Sequence, residues 1–185
     1  ISECLVGSEM CIRDRYKAEE LAAAKELAKT EINNYLSLSA FRSEEQKTLT
    51  ALINEYLGKV DAATEVSDIT PLVSEYKTKA SAIKTAAQYE AEELAAAKTT
   101  ALETIASLVN KSDYREAEQK AIDELLATAT SAINEATTIE AVNAASDMYA
   151  DEVAKLKTKA EYEAEEAKAL ATRKKEAEDE ILDYK

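Results

Sequence analysis

The 185-residue chain has no histidine and no tryptophan, a single proline, two glycines and two cysteines. Each shortage excludes something. Without histidine the commonest general base and metal ligand are missing, and none of the many serines has an imidazole to activate it. Cys4 and Cys11 both precede Tyr16, so the body of the chain offers neither a disulfide framework nor a cysteine metal site. No Gly-rich phosphate loop and no acidic calcium loop occurs. No apolar run approaches the roughly 20 residues that cross a bilayer. Positive charge is also scarce: Lys and Arg number 23 against 37 Asp and Glu, a net charge of −14. Such a chain repels phosphate backbones and anionic membrane surfaces. The expectation is a protein that is not an enzyme and has no cofactor, no metal site, no nucleic-acid partner and no membrane insertion.

What remains is rich in Ala, Glu, Lys and Leu, which lose little rotamer freedom in a helix. It also repeats itself. Tyr16-Lys-Ala-Glu-Glu-Leu-Ala-Ala-Ala-Lys25 returns as Tyr89-Glu-Ala-Glu-Glu-Leu-Ala-Ala-Ala-Lys98, and its opening returns as Tyr162-Glu-Ala-Glu-Glu166, at a constant spacing of 73 residues. The copies 16–88 and 89–161 align without a gap, with roughly a third of positions identical, which marks a repeat architecture. Residues 162–185 read as the truncated first helix of a third repeat.

The second copy reads as three helices. Leu94, Ala97, Ala101, Ile105 and Leu108 recur at steps of three and four, one face of a helix over about 89–110. Lys111 to Arg115 breaks it, and Asp113 with Glu116 has capping-box spacing. A second helix presents Ala117, Ile122, Leu125, Ala129, Ile133 and Ala136. Thr137 and Glu140 again suit a capping box. The third presents Ile139, Val142, Ala145, Tyr149, Val153, Leu156 and Ala160. The first copy follows the same plan: Leu21, Ala24, Ala28, Ile32 and Tyr35, a turn at 39–42, then Leu49, Leu52, Tyr56 and Val60. Pro71 is expected in the first turn of its third helix, where a missing N–H costs nothing. Two short loops per copy predict an all-α fold of tandem up-down-up three-helix bundles. Tyr76 to Leu108 contains no Gly or Pro, so the third helix of one copy is expected to continue into the first of the next, making a spectrin-like rod, with a bend near Ala87-Gln88 or Ala160-Glu161 and separately tumbling modules as the alternative.

Residues 1–15 differ in kind from the rest. They hold both cysteines, one glycine and one of the two methionines. Cys4-Leu-Val-Gly-Ser-Glu-Met-Cys-Ile-Arg-Asp-Arg15 resembles translated linker DNA joined to a reading frame in sequencing surveys. The segment is expected to be a non-native or disordered leader. It lacks the basic start, apolar stretch and small-residue cleavage site of a signal peptide. The chain as a whole reads as an internal fragment.

Three features invite a functional reading. Glu19-Glu20, Glu92-Glu93 and Glu165-Glu166 are recurrent carboxylate pairs, read as solvated helix face. Tyr16, Tyr89 and Tyr162 stand where repeats join, with Tyr76 and Tyr149 on third helices, and are read as packing. Phe41-Arg42 and Tyr114-Arg115 recur in the turn between first and second helices. An aromatic beside Arg has the composition of a binding hot spot, so these four residues form the candidate binding surface. The competing reading has the ring plug the bundle end while Arg bonds the last carbonyls of the first helix.

Ser112-Asp-Tyr-Arg-Glu-Ala-Glu-Gln-Lys120, Ala136-Thr-Thr-Ile-Glu-Ala-Val-Asn-Ala-Ala145 and Leu156-Lys-Thr-Lys-Ala160 resemble the helical repeats of large surface proteins of Gram-positive gut bacteria. The module as a whole is similar to FIVAR-type three-helix units. The tryptophan usual in the second helix of such units is absent, with Glu118 or Gln119 near its place. The resemblance covers residues 16–161 and implies an extracellular multi-repeat stalk attached to a cell wall, with no catalytic residues to carry over. The expected function is a non-catalytic stalk or spacer that presents another domain, with neighbouring repeats as its partners. An adhesin-type module for a host protein or glycan is the alternative, for which exposed aromatics at Tyr35, Phe41 and Tyr56 are the residues to check. A cytosolic coiled-coil scaffold is the third reading.

Overall fold

The computed structural model describes residues 3–183, with side chains described from Arg13 to Asp183. The side chains of Cys4 and Cys11 lie outside the described residues. The described chain is all-helical: α1 (Glu3–Asn34), α2 (Ser43–Ala62), α3 (Val66–Ser81), α4 (Ala86–Ser107), α5 (Glu116–Glu135), α6 (Ile139–Val153) and α7 (Lys159–Asp183). Short 3-10 turns at Leu38–Ala40 and Lys111–Asp113 join α1 to α2 and α4 to α5. Two compact units result, Ile1–Ala91 and Glu92–Lys185.

In the first unit, Ala28 and Ile32 of α1, Leu49, Tyr56 and Val60 of α2, and Ile69, Val73, Tyr76 and Ala80 of α3 form one buried cluster with Phe41. The helices form because apolar residues recur on one face, and they stay because that face is covered. Each fully buried Ile or Leu contributes about 1.5–3 kcal/mol relative to exposure. Polar contacts set the directions. Lys25 Nζ donates to the Asp61 carbonyl at 2.7 Å, so α2 returns alongside α1. Glu31 pairs with Lys77, and the Tyr35 and Ser81 hydroxyls share a hydrogen bond of 2.9 Å, so α3 runs parallel to α1.

The second unit repeats the plan. Ala101 and Ile105, then Ile122, Ala129 and Ile133, then Val142, Ala145, Tyr149 and Val153 form its cluster. Lys98 Nζ donates to the Asn134 carbonyl at 2.8 Å, the counterpart of the Lys25–Asp61 contact. Leu108, expected on the inner face, is 45% exposed, because α4 ends at Ser107 and Val109 packs instead.

The expected continuous helices do not form. α3 ends at Ser81 and α4 starts at Ala86; α6 ends at Val153 and α7 starts at Lys159. The cause is a reciprocal cap at each place. Thr85 Oγ1 accepts from the Gln88 backbone N–H at 3.3 Å, and Gln88 Oε1 accepts from that of Thr85 at 2.8 Å. At the next joint Thr158 Oγ1 accepts from the Glu161 N–H at 3.3 Å, and Glu161 Oε2 accepts from that of Thr158 at 2.7 Å. Ile12 and Arg15 stand at the matching positions of the first copy. Neither side chain can accept a backbone N–H, and α1 runs through that place from Glu3 without a break.

Other start signals shift as well. Glu65 and Asp68 form the capping box of α3, so the helix begins at Val66 and Pro71 falls in its second turn, not its first. There it removes a bond to the Ser67 carbonyl. The cap of α6 is Thr138, whose hydroxyl accepts from the Ala141 N–H at 3.2 Å, one residue after the expected Thr137. α5 starts at Glu116 behind Arg115, not behind a capping Asp113, which belongs to the 3-10 turn.

Candidate functional site

The turn after the first helix of each unit is built alike. Its aromatic points inward. Phe41 is 4% exposed and belongs to the first core, and Tyr114 is half-buried against the second. The next helix is anchored by a glutamine reaching back: Gln46 Nε2 donates to the Phe41 carbonyl, and Gln119 Nε2 to that of Tyr114, both at 2.9 Å. Arg42 and Arg115 are the N-cap residues of α2 and α5, with extended backbone and no capping side-chain bond.

Inside the first unit, the Arg42 guanidinium carbon lies 4.6 Å from the ring centroid of Tyr89, in the first turn of α4. The Tyr89 hydroxyl donates to Glu45 Oε1 at 2.8 Å. Lys84 Nζ stands 5.4 Å from the same ring. Inside the second unit, Arg115 stacks on Tyr162 of α7 at 4.1 Å, the Tyr162 hydroxyl donates to Glu118 Oε1 at 2.7 Å, and Lys157 Nζ lies 5.6 Å from the ring. Arg115 Nη2 also donates to Glu166 Oε1 at 2.8 Å, and Lys157 Nζ to the two Glu165 oxygens at 2.7 and 2.8 Å. Lys159 Nζ donates to the Ser112 carbonyl at 2.8 Å.

Each ring is thus held from three sides: cations on its face, a carboxylate at its hydroxyl, and the cap beneath its helix. Exposed cation–π contacts of this kind are worth about 0.5–1 kcal/mol. The charges respond. The hydrogen bond from Tyr162 holds the Glu118 carboxyl below its usual range, and the Thr158 backbone and hydroxyl do the same for Glu161. Hydrogen bonds to Glu45 and Glu118 hold the Tyr89 and Tyr162 phenols above theirs. Lys157 is raised by its bond to Glu165. These groups keep their charges, or the phenols their protons, across neutral pH.

Of the candidate binding residues, Phe41 belongs to the first core and Tyr114 packs against the second, and the arginines are turned onto Tyr89 of α4 and Tyr162 of α7. The binding reading asked for exposed aromatics. Tyr56 is fully buried, Phe41 nearly so, and Tyr35 is 37% exposed with its ring edge-on to Tyr76 at 6.0 Å. The carboxylate pair Glu165 and Glu166 is ion-paired, not merely solvated. Tyr76 and Tyr149 lie inside the cores.

Glu45, Lys84 and Thr85 carry much of this arrangement and were not singled out from the sequence; Glu118 was named only for standing near a missing tryptophan, and Lys157 and Thr158 only inside a stretch that resembles surface repeats. The signal was available. Beyond the opening decapeptide, identities between the copies are sparse, and Arg42/Arg115, Glu45/Glu118, Gln46/Gln119, Lys84/Lys157 and Thr85/Thr158 are among them.

Elsewhere, an open groove of about 430 Å³ runs beside α2 and α3, lined by Lys59, Ala62, Ala63, Pro71, Leu72 and Glu75 among others. Among the described residues no cluster of three or more His, Cys, Asp or Glu side chains is placed to hold a metal ion. No helix among them is long and apolar enough to cross a membrane. The architecture defines a class, the tandem three-helix module with a tyrosine-opened following helix. No family model matches the chain, and no curated protein or solved structure matches it.

Proposed function

We propose that this chain is a non-catalytic spacer: a run of repeats whose product is length and surface, presenting another domain away from a bacterial cell wall. The observation that carries this reading is the Arg–Tyr–Glu clamp. It recurs at the repeat spacing, and both times it is assembled from groups that hold a helix rather than transform a substrate. A repeat that invests its most similar residues in seating the next helix is built to be concatenated. The extracellular setting and the wall attachment follow from the resemblance to surface repeats.

The test is display. A reporter epitope carried on a Gram-positive cell surface by one, two or three copies of residues 16–88 should become more accessible to antibody with each copy. Substituting exposed residues of the repeats should leave that reach unchanged. Reach that does not depend on copy number would reject the spacer. The adhesin alternative would be supported instead if the full chain captured a glycan or host matrix protein and exposed-face substitutions abolished capture.

A further inference from the structure

Tyr162, Glu165 and Glu166 form the docking half of the clamp in the second unit. The ring meets Arg115 and Lys157, the hydroxyl meets Glu118, Glu165 meets Lys157 and Glu166 meets Arg115. The same motif, at the same spacing, stands on α1 as Tyr16, Glu19 and Glu20. There Tyr16 is 70% exposed, and Glu19 and Glu20 are exposed as well. Both complementary turns in the chain already hold a ring: Arg42 and Glu45 hold Tyr89, Arg115 and Glu118 hold Tyr162.

We infer that Tyr16, Glu19 and Glu20 are an unfilled docking motif for one further three-helix module. That module presents a turn with arginine followed three residues later by glutamate, and a lysine just before its last capping threonine. Charge complementarity sets the choice of partner. The motif offers two carboxylates and a ring face, and the occupied turns answer with Arg, Lys and one carboxylate aimed at the hydroxyl. A second copy of this chain does not supply a vacant turn, because its own α4 and α7 fill both. The inference rests on the repeat reading above and extends it from architecture to a specific interaction surface.

The test replaces residues 1–15 with a copy of residues 89–161 in one extended chain, and with a copy of residues 16–88 in another. Tyr16→Ala is made in the 185-residue chain and in both extended chains, with Tyr162→Ala in the 185-residue chain as the reference. Helical circular dichroism follows thermal unfolding. The expected result is no shift from Tyr16→Ala in the 185-residue chain. In the extended chains a drop is expected that matches the reference, about 2–4 °C if the clamp is worth about 1 kcal/mol in a protein of this size. Glu20→Gln should shift the extended chains in the same direction. A silent Tyr16→Ala in extended chains while Tyr162→Ala is not silent overturns the inference. So does failure of both extended chains to gain cooperative helix, since the same copies fold in their own places. Display reach that fails while Tyr16 responds would sink the spacer and keep the docking motif; the opposite pattern would do the reverse.

Discussion

Tyr76 shows how finely single residues are balanced in this Ala-rich fold. Its side chain is fully buried, and its hydroxyl has no hydrogen-bond partner. An unpaired buried hydroxyl costs about 1–3 kcal/mol. Tyr76→Phe keeps the ring and removes that cost, so the urea midpoint of the full chain should stay level or rise. A loss of unfolding free energy of about 1 kcal/mol or more would mean the hydroxyl has a partner. The phenols also make stability pH-dependent. Tyr76 and Tyr149 are pushed above the ordinary tyrosine value by burial, Tyr89 and Tyr162 by hydrogen bonds to carboxylates. The unfolded chain ionises these groups near pH 10, while the folded chain keeps their protons. Unfolding therefore releases protons, and their contribution is complete below about pH 10 and lost as pH climbs beyond it. Denaturant midpoints measured from about pH 9 upward should decline. Tyr76→Phe with Tyr149→Phe should flatten that decline.

At the scale of the element, the helices were legible and their ends were not. Three-and-four spacing located Ile32, Leu49, Ile105, Ile122 and Val142 in the cores, because a covered stripe must be periodic. The breaks before α4 and α7 fall close to the bends held as the alternative at Ala87-Gln88 and Ala160-Glu161, but continuity was preferred because stop signals were sought as Gly and Pro. The chain stops its helices with Thr85 and Gln88, and with Thr158 and Glu161, inside runs of otherwise good helix formers. Pro71 misled in the opposite sense, since the capping box of Glu65 and Asp68 had already opened α3 at Val66. Thr158→Ala removes the acceptor for the Glu161 N–H and should cost about 0.5–2 kcal/mol, read as faster amide exchange in the first turn of α7. Gly58 offers the converse. It lies inside α2 with open space where a Cβ would stand, and Ser131 occupies its place in the second copy. Gly58→Ala should stabilise the first unit by about 0.5–1 kcal/mol, raising its melting temperature.

For the whole molecule, the two cores share no residue. Ile122 is fully buried in the second, and Ile122→Ala should cost about 2–5 kcal/mol. Hydrogen exchange should quicken through α5 and α6 while the amides of Tyr56 and Val60 keep their protection. Equal loss in both units would show that they unfold as one. Of the clamp, the sequence exposed the two ends, Arg42 and Tyr89, Arg115 and Tyr162, but not their meeting, because each pair is 47 residues apart and periodicity reports only on neighbours along one helix. The two units also differ in a way the repeat conceals. Tyr35, Tyr76 and Tyr56 stand with ring centroids 6.0 and 5.8 Å apart in the first, where the second has Leu108, Tyr149 and Ala129. In a chain without tryptophan, this trio is a built-in optical label: rings this close couple their transitions. Near-ultraviolet dichroism therefore carries a coupled-ring contribution from the first unit that the second lacks, a signal that follows one of two repeated modules without attaching any dye.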